Sequence, residues 1–192
     1  MLIGYEANNA LRNPQELGDY CRELISRLAS HHSTTYRALL FSTRIKETYR
    51  TEYTSFANVS TYVPTGISTM LPSMWMRYGL NEWLITEKVK LFHGLNGELP
   101  YRISNNIKTL ITCYGIENHH RTSMMDSLMW RRRLKYSFRR ADAIVAISDE
   151  VKQQLVAKGV DENKITVIPG MKVTDEVVER YWDLYTDLYN SL

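Results

Sequence analysis

The chain has 192 residues, 44% hydrophobic and 23% charged, and its 24 basic and 21 acidic residues leave a net charge of +3. This length and composition are typical of one globular domain and exclude a disordered or fibrous chain. The small net charge does not indicate a nucleic-acid partner, and no run approaches the roughly 20 apolar residues that span a bilayer.

Strands and helices are predicted to alternate along almost the whole sequence. From the N-terminus, the predicted elements are a strand at 2–6, a loop at 7–15, a helix whose apolar face covers 17–28, a strand at 36–41, an irregular polar stretch at 44–55 and a strand at 56–63. They continue with a helix that opens at Leu71-Pro72 and bends at Gly79, strands at 89–93 and 108–114, a helix at 122–140, a strand at 143–147, a helix at 148–158, a strand at 164–168, and a helix from Thr174 through Tyr189.

This alternation predicts an α/β fold, a single Rossmann-like, doubly wound parallel sheet with helices on both faces. In such sheets ligands bind beyond the carboxyl ends of the strands, where the strand order changes direction. The loops after Glu6, His93, Tyr114 and Ile147 are therefore the places where functional side chains are expected.

Two segments carry a family resemblance. Residues 92–100 read FHGLNGELP, and residues 140–148 read RADAIVAIS, followed by DENKI at 161–165. Together they resemble the N-terminal, acceptor-side domain of retaining, nucleotide-sugar-dependent glycosyltransferases of family 4, which have the GT-B fold. The resemblance implies an N-terminal GT-B domain at 1–170 and, at 171–192, the C-terminal helix of the family packing back on the same domain, with the donor-binding domain absent.

The resemblance also implies candidate residues in an acceptor cleft, namely His93, Gly94, Asn96 and Glu98. His93 is expected to hydrogen-bond a sugar hydroxyl, and Glu98 to cap the loop or orient an acceptor. The alternative interpretation is loop architecture alone, with glycines at the turns and Pro100 ending the segment.

Residues expected to face the donor come from the loop after the first strand, and they are Arg12, Asn13, Gly18 and Tyr20. Glu16 stands where the family pattern has its first glycine, and an acidic residue also suits the first turn of a helix. Tyr114 and Ser148 are candidates at strand ends. At Tyr114-Gly115 the chain departs from the family, which often has His-Asp there, so no catalytic residue is assigned.

Three functions are open at this stage. The chain is an excised or redesigned acceptor-side half that is not catalytically competent alone; or a half-enzyme that transfers sugar with a donor-domain chain or as a homodimer; or a module that binds an acceptor or an anionic membrane surface. The third interpretation depends on His93, Glu98 and the basic helix around Arg131, Arg132 and Arg133. A solvated face with arginine stems lying over apolar surface is the preferred interpretation of that basic helix. The aromatic stripe of the last helix offers an alternative dimer interface.

No cofactor and no metal site are expected. The pairs His31-His32 and His119-His120 are adjacent in sequence, and adjacent helical residues point about 100° apart. Cys21 and Cys113 are expected to be buried free thiols rather than a disulfide. Together with the absence of a signal-like start, this favours a cytoplasmic protein.

Overall fold

The computed structural model describes residues 1–115 and 124–191, which form one seven-stranded sheet in which every neighbouring pair is parallel. The strands are β1 (Leu2–Glu6), β2 (Arg37–Phe41), β3 (Val59–Tyr62), β4 (Leu91–Gly94), β5 (Lys108–Cys113), β6 (Ala143–Ala146) and β7 (Ile165–Val167). Their order across the sheet is β3-β2-β1-β4-β5-β6-β7. The predicted doubly wound α/β fold is confirmed.

Helices cover both faces of the sheet. They are α1 (Asn8–Arg12), α2 (Glu16–His31), α3 (Glu47–Tyr53), α4 (Pro72–Met74), α5 (Leu80–Thr86), α6 (Met124–Arg140), α7 (Asp149–Ala157) and α8 (Asp175–Asn190). A π-helical turn, Trp75–Gly79, joins α4 to α5, and short 3₁₀ turns lie at Gly66–Thr69 and Glu162–Lys164. The helix predicted to begin at Leu71-Pro72 is therefore interrupted by this π-helical turn, which ends at Gly79, the residue where a bend was expected.

The core has two halves because successive strand residues point to opposite faces. On one face, Ile3 and Tyr5 of β1 pack with α2 and α8. On the other face, Phe92 and Ile111 pack with α5, α6 and α7. Strands buried on both faces explain why the sequence shows continuous apolar runs rather than alternation.

Two segments predicted to lack regular structure contain helices. Residues 7–15 include α1, whose Ala10 and Leu11 are fully buried. Residues 44–55 include α3, where Tyr53 is buried and the Arg22 guanidinium lies 3.9 Å from the centroid of the Tyr49 ring. Tertiary contacts stabilise these short helices, which local propensity does not indicate.

The remaining differences are at element ends. The strand predicted at 56–63 is shorter, since β3 spans Val59–Tyr62. Ser148 and Thr174 cap α7 and α8 through their hydroxyls, as their sequence positions predict. The predicted start of α6 at Thr122 and the His119-His120 pair lie outside the described residues.

Helix α8 packs onto the face formed by β1, β4 and α2. Tyr181 and Tyr185 are fully buried within the chain. The Tyr181 hydroxyl hydrogen-bonds that of Tyr20, 3.2 Å away, and the Thr112 hydroxyl, 3.1 Å away. The central part of the aromatic stripe is therefore covered by the domain itself.

Candidate functional site

The strand order changes direction between β1 and β4. The chain runs outward from β1 to β2 and β3, then returns to place β4 on the other side of β1. The loops that follow β1 and β4 consequently leave the sheet in opposite directions and open a crevice between them. This crevice is where ligands bind in doubly wound sheets.

Register determines which side chains enter that crevice. Tyr5 is paired with His93, and Glu6 with Gly94. Paired residues in parallel strands share a face of the sheet, and the next pair points to the other face. Tyr5 and His93 therefore lie on the face covered by α2 and α8, whereas Glu6 points to the face covered by α5 and α6.

A polar pocket of about 180 Å³ lies over the carboxyl ends of β1 and β4. Both strand-end loops, the turn Trp75–Gly79 and helix α6 contribute to its walls. The lining residues are Glu6, Asn8, Thr43, Ser73, Met76, Arg77, Asn96, Glu98, Leu99, Pro100 and Arg133. The pocket combines two carboxylates, two amides, two hydroxyls and two guanidinium groups, which are the groups that hydrogen-bond sugars and other polar ligands.

Glu6 is the most buried charged group of this pocket, with 5% of its surface exposed. Its Oε1 accepts hydrogen bonds from the side-chain amide and the backbone N–H of Asn8, the latter at 3.3 Å. Its Oε2 is buried and has no hydrogen-bond donor in the described part of the chain. Burial raises the pKa of Glu6 from 4.5 to about 7, against the opposing effect of the Asn8 hydrogen bonds.

The loop after β4 folds back over the strand end and brings Glu98 to the pocket. A Cβ atom at Gly94 would collide with the backbone carbonyl oxygen of Glu98, so only glycine allows this close approach. Asn96 Oδ1 accepts the backbone N–H of Glu98 at 3.0 Å, which fixes the turn. Arg133 Nε of α6 donates to Glu98 Oε2 at 2.9 Å, so this carboxylate is compensated inside the structure.

Asn8 and Arg12 join the pocket to the loop after β2. Asn8 Oδ1 accepts hydrogen bonds from the Thr43 backbone N–H, at 2.9 Å, and from the Thr43 hydroxyl, at 2.8 Å. Arg12 Nη1 donates to the same hydroxyl oxygen at 2.7 Å. The Arg12 charge lowers the pKa of Glu6 slightly, and that of Glu98 raises it.

His93 does not reach the pocket, contrary to the expectation that it meets an acceptor hydroxyl. It is fully buried on the opposite face of the sheet. Its Nδ1 lies 2.7 Å from the Tyr185 hydroxyl and its Nε2 lies 2.8 Å from the Thr112 hydroxyl. Burial lowers its pKa to about 3, so the ring is neutral and both nitrogens are used in the core.

Of the other acceptor-side candidates, the structure brings Asn96 and Glu98 together at the pocket, with Gly94 beneath them. The residues expected to face a donor are separated. Arg12 is exposed and does not line the pocket. The Asn13 backbone carbonyl accepts from Arg22 Nη1 at 2.9 Å.

The other two donor-side candidates have packing roles. Gly18 is buried against the Asn13 carbonyl oxygen, which leaves no room for a Cβ atom. Tyr20 is almost fully buried and hydrogen-bonds the Tyr181 hydroxyl in the core. Its position on the inner face of α2 therefore corrects the expectation that it faces a donor.

The two strand-end candidates lie away from the pocket. The Tyr114 hydroxyl lies 3.7 Å from Cys21 Sγ. The Ser148 hydroxyl accepts the backbone N–H of Val151 at 3.2 Å and so caps α7. Cys21 and Cys113 are both free and buried, as the sequence predicts.

Among the charged and amide side chains of the pocket, sequence reasoning missed four, which are Glu6, Asn8, Arg77 and Arg133. The signal for Glu6 was available, because an acidic residue that ends a buried strand points toward a sheet edge or into a site. Arg133 belongs to the basic run of α6, in which Arg131, Arg132, Lys135 and Arg139 are exposed.

The described residues contain no cluster of three or more His, Cys, Asp or Glu side chains able to hold a metal ion. Of the adjacent pair His31-His32, the His32 ring is stacked on Trp182, with the two ring centroids 3.7 Å apart.

In the same described ranges, no helix has the length and apolar character required to cross a membrane.

Comparison with known proteins agrees with this architecture. The sequence model of Glycosyltransferase Family 4 matches residues 17–171. Curated protein sequences give no match.

Solved structures of similar fold include the following two. The Anabaena protein HepE in complex with UDP-glucose is 12% identical, with a TM-score of 0.57 over 88% of this chain and 43% of that one. UDP-GlcNAc 2-epimerase from Neisseria meningitidis, bound to UDP-GlcNAc, is 11% identical, with a TM-score of 0.56 over 99% of this chain and 52% of that one. The chain thus spans about half, or less, of these proteins.

Proposed function

Because the chain belongs to Glycosyltransferase Family 4, we propose that it forms the acceptor-side wall of a GT-B cleft and does not transfer sugar by itself. The observation that carries this proposal is the polar pocket at the switch point between β1 and β4, with Glu6, Asn96 and Glu98 around it. Its volume of about 180 Å³ is below the roughly 300–1,000 Å³ of common ligand pockets. It therefore suits one sugar unit better than a whole nucleotide sugar.

Catalysis requires more than this wall. Sugar transfer needs donor and acceptor held together in a site from which water is excluded. The similar structures, which are complexes with UDP-glucose and UDP-GlcNAc, are about twice the length that this chain covers. We therefore propose that a donor-binding domain, or a second copy of this chain, completes the cleft.

The test combines binding and turnover. Purified 192-residue protein is titrated with glucose as a small acceptor probe while backbone amide NMR shifts are followed, and with UDP-glucose by calorimetry. We expect glucose to shift the amides of Asn8, Asn96 and Glu98, and UDP-glucose to give no heat of binding. Sugar transfer by the unaccompanied monomer would contradict the proposal.

A complementation arm tests the partner. The donor-binding domain of a Family 4 enzyme, expressed as a separate chain, is added to the protein and transfer is measured. Size measurement in solution distinguishes a mixed complex from a homodimer. If neither added domain nor self-association produces transfer, the half-enzyme role fails and the binding role is judged by the glucose titration.

A second candidate is contact with an anionic membrane surface, and helix α6 favours it. Leu128 and Met129 are 49% and 46% exposed, and they precede the exposed Arg131 and Arg132. Apolar side chains beside cations are typical of surfaces that bind anionic lipid.

Vesicle sedimentation tests this contact. We expect the protein to sediment with phosphatidylserine-containing vesicles but not with neutral ones, and the double variant R131Q/R132Q to lose the difference. The matched control is K158Q, which removes an exposed charge beyond α7. Equal sedimentation of the double variant and the wild type would exclude α6 as the contact.

We also propose a cytoplasmic location. The support is the pair of free, buried thiols, Cys21 and Cys113. Free cysteines are compatible with a reducing compartment. Fractionation of cells that express the protein would test this.

A further inference from the structure

Arg77 reaches the pocket from an unusual backbone element. The turn Trp75–Gly79 is π-helical, and it is anchored by the buried side chains of Trp75 and Met76. Isolated π-helical turns within α-helices occur frequently at functional sites. Here the turn places Arg77 in the wall of the pocket that Glu6 and Glu98 also line.

The Arg77 guanidinium differs from the other cations around this pocket. Arg133 is paired with Glu98 at 2.9 Å, and Arg12 donates to the Thr43 hydroxyl at 2.7 Å. Arg77 is half-buried and has no side-chain partner among the described residues. A guanidinium partly withdrawn from water gains from an anion with two oxygen atoms, which its planar fork binds bidentately.

Glu6 supplies the complementary group. Its Oε2 atom is buried without a donor in the described structure, whereas Oε1 is satisfied by Asn8. A ligand hydroxyl is a suitable donor for that oxygen atom. No ion pair joins Glu6 to Arg77 within the described residues, so each remains available to a ligand.

Resting on the function proposed above, we propose that this pocket binds an acidic sugar unit, with its carboxylate or phosphate on the Arg77 guanidinium and a hydroxyl donated to Glu6 Oε2. A neutral sugar would satisfy Glu6 and leave Arg77 without an anion. A free anion would satisfy Arg77 and leave Glu6 without a donor. Only a unit that carries both groups satisfies both walls of the pocket.

Four probes separate these cases in amide NMR titrations of the 192-residue protein. Glucose is the neutral sugar, glucuronate carries a carboxylate, glucose 6-phosphate carries a phosphate, and inorganic phosphate is the free anion. We expect at least one of the two acidic sugars to bind roughly tenfold more tightly than glucose, as one charge-assisted pair would give. The stronger of the two identifies the acid group.

The decisive variant is Arg77→Gln, with Arg132→Gln as the matched control because Arg132 is exposed and outside the pocket. We expect Arg77→Gln to abolish the preference for acidic sugars over glucose, and to weaken glucose binding much less than it weakens acidic-sugar binding. Arg132→Gln should alter neither. If Arg77→Gln fails to fold, Arg77→Lys decides, since it retains the charge, loses the planar fork and should bind the acidic sugar several-fold more weakly.

The second variant tests the other wall. Glu6→Gln retains size and an acceptor oxygen, but it removes the carboxylate, and we expect it to weaken glucose and acidic sugars by similar factors. Equal affinity for glucose and both acidic sugars would overturn the inference and leave the acceptor-wall function standing. Binding of inorganic phosphate as tight as that of glucose 6-phosphate would also overturn it, and absence of binding by any sugar would contradict both proposals.

Discussion

Where β1 and β4 pair, the two faces of the sheet hold buried polar side chains with different roles, His93 in the core and Glu6 at the pocket. On one face, His93 is fully buried and both ring nitrogens have hydroxyl partners. On the other face, Glu6 is nearly as buried, yet one carboxylate oxygen has no donor in the described residues. A satisfied buried group stabilises the fold, whereas an unsatisfied one at the edge of a pocket indicates a ligand.

This comparison also explains why sequence position alone misleads. His93 and Gly94 are adjacent and belong to the same family-like segment, but only the Gly94 side of the strand faces the pocket. The segment retains the loop geometry that carries Glu98, and its histidine serves the core. Sharing a motif therefore does not imply sharing a site.

The largest expected effect is a loss of stability on the face of the sheet that buries His93. Replacement His93→Ala removes a buried ring and leaves the Tyr185 and Thr112 hydroxyls without it, so we expect a loss of about 3–5 kcal/mol in the free energy of unfolding. Urea denaturation measures it. Tyr185→Phe, which removes one hydroxyl, should cost only about 1 kcal/mol. A stable His93→Ala protein that no longer binds glucose would reverse our assignment of the two faces.

A second prediction concerns Glu6, on the opposite face of the sheet, and the pH dependence of stability. Burial raises the pKa of Glu6 from 4.5 to about 7, so folding favours the protonated carboxyl. The stabilisation that Glu6 gives to the folded state is fully present below pH 4.5 and is lost as the pH rises through about 7. The free energy of unfolding should fall by about 3 kcal/mol at most over this range.

The variant Glu6→Gln carries no titrating group at this position. Relative to wild type it should therefore gain up to about 3 kcal/mol of stability between about pH 4 and about pH 8. Urea unfolding of both proteins across this range measures the gain. A constant difference between them would show that Glu6 titrates as an ordinary exposed carboxyl.

The smallest expected loss of stability comes from changing the loop after β4, which carries Glu98 to the pocket. Gly94→Ala places a Cβ against the Glu98 carbonyl oxygen, so the loop must move, and we expect a cost of about 1–3 kcal/mol with weaker glucose binding. Gly66→Ala is the matched control, because its Cβ meets open space and only its positive φ of 58° is strained, at about 1 kcal/mol. If both variants bind glucose normally, the Gly94 contact does not shape the pocket.

Most of the fold could be predicted from the sequence because buried strands and capped helices leave local signals. Apolar runs marked all seven strands, and Ser148 and Thr174 marked the starts of α7 and α8. Helices α1 and α3 could not be predicted, since their stability comes from contacts such as the stacking of Arg22 on Tyr49.

The site was predictable only in part. The loop after β4 was recognised, and Asn96 and Glu98 do line the pocket. The face to which Glu6 and His93 each point depends on strand register, which the sequence does not state. The position of Arg77 in the pocket wall depends on a π-helical turn, and that of Arg133 depends on the packing of a helix distant in sequence. Neither position has a local sequence signal.

The hydroxyl contacts of α8 have a consequence for synthesis. Tyr181 and Tyr185 close the interior around Thr112 and His93, which lie 69 and 92 residues earlier in the chain. Until that segment leaves the ribosome, α2 covers only part of this face of the nascent sheet, and His93 lacks the Tyr185 hydroxyl. We therefore expect a nascent chain arrested before α8 to need chaperone protection, and one extended until α8 has emerged to be protease-resistant.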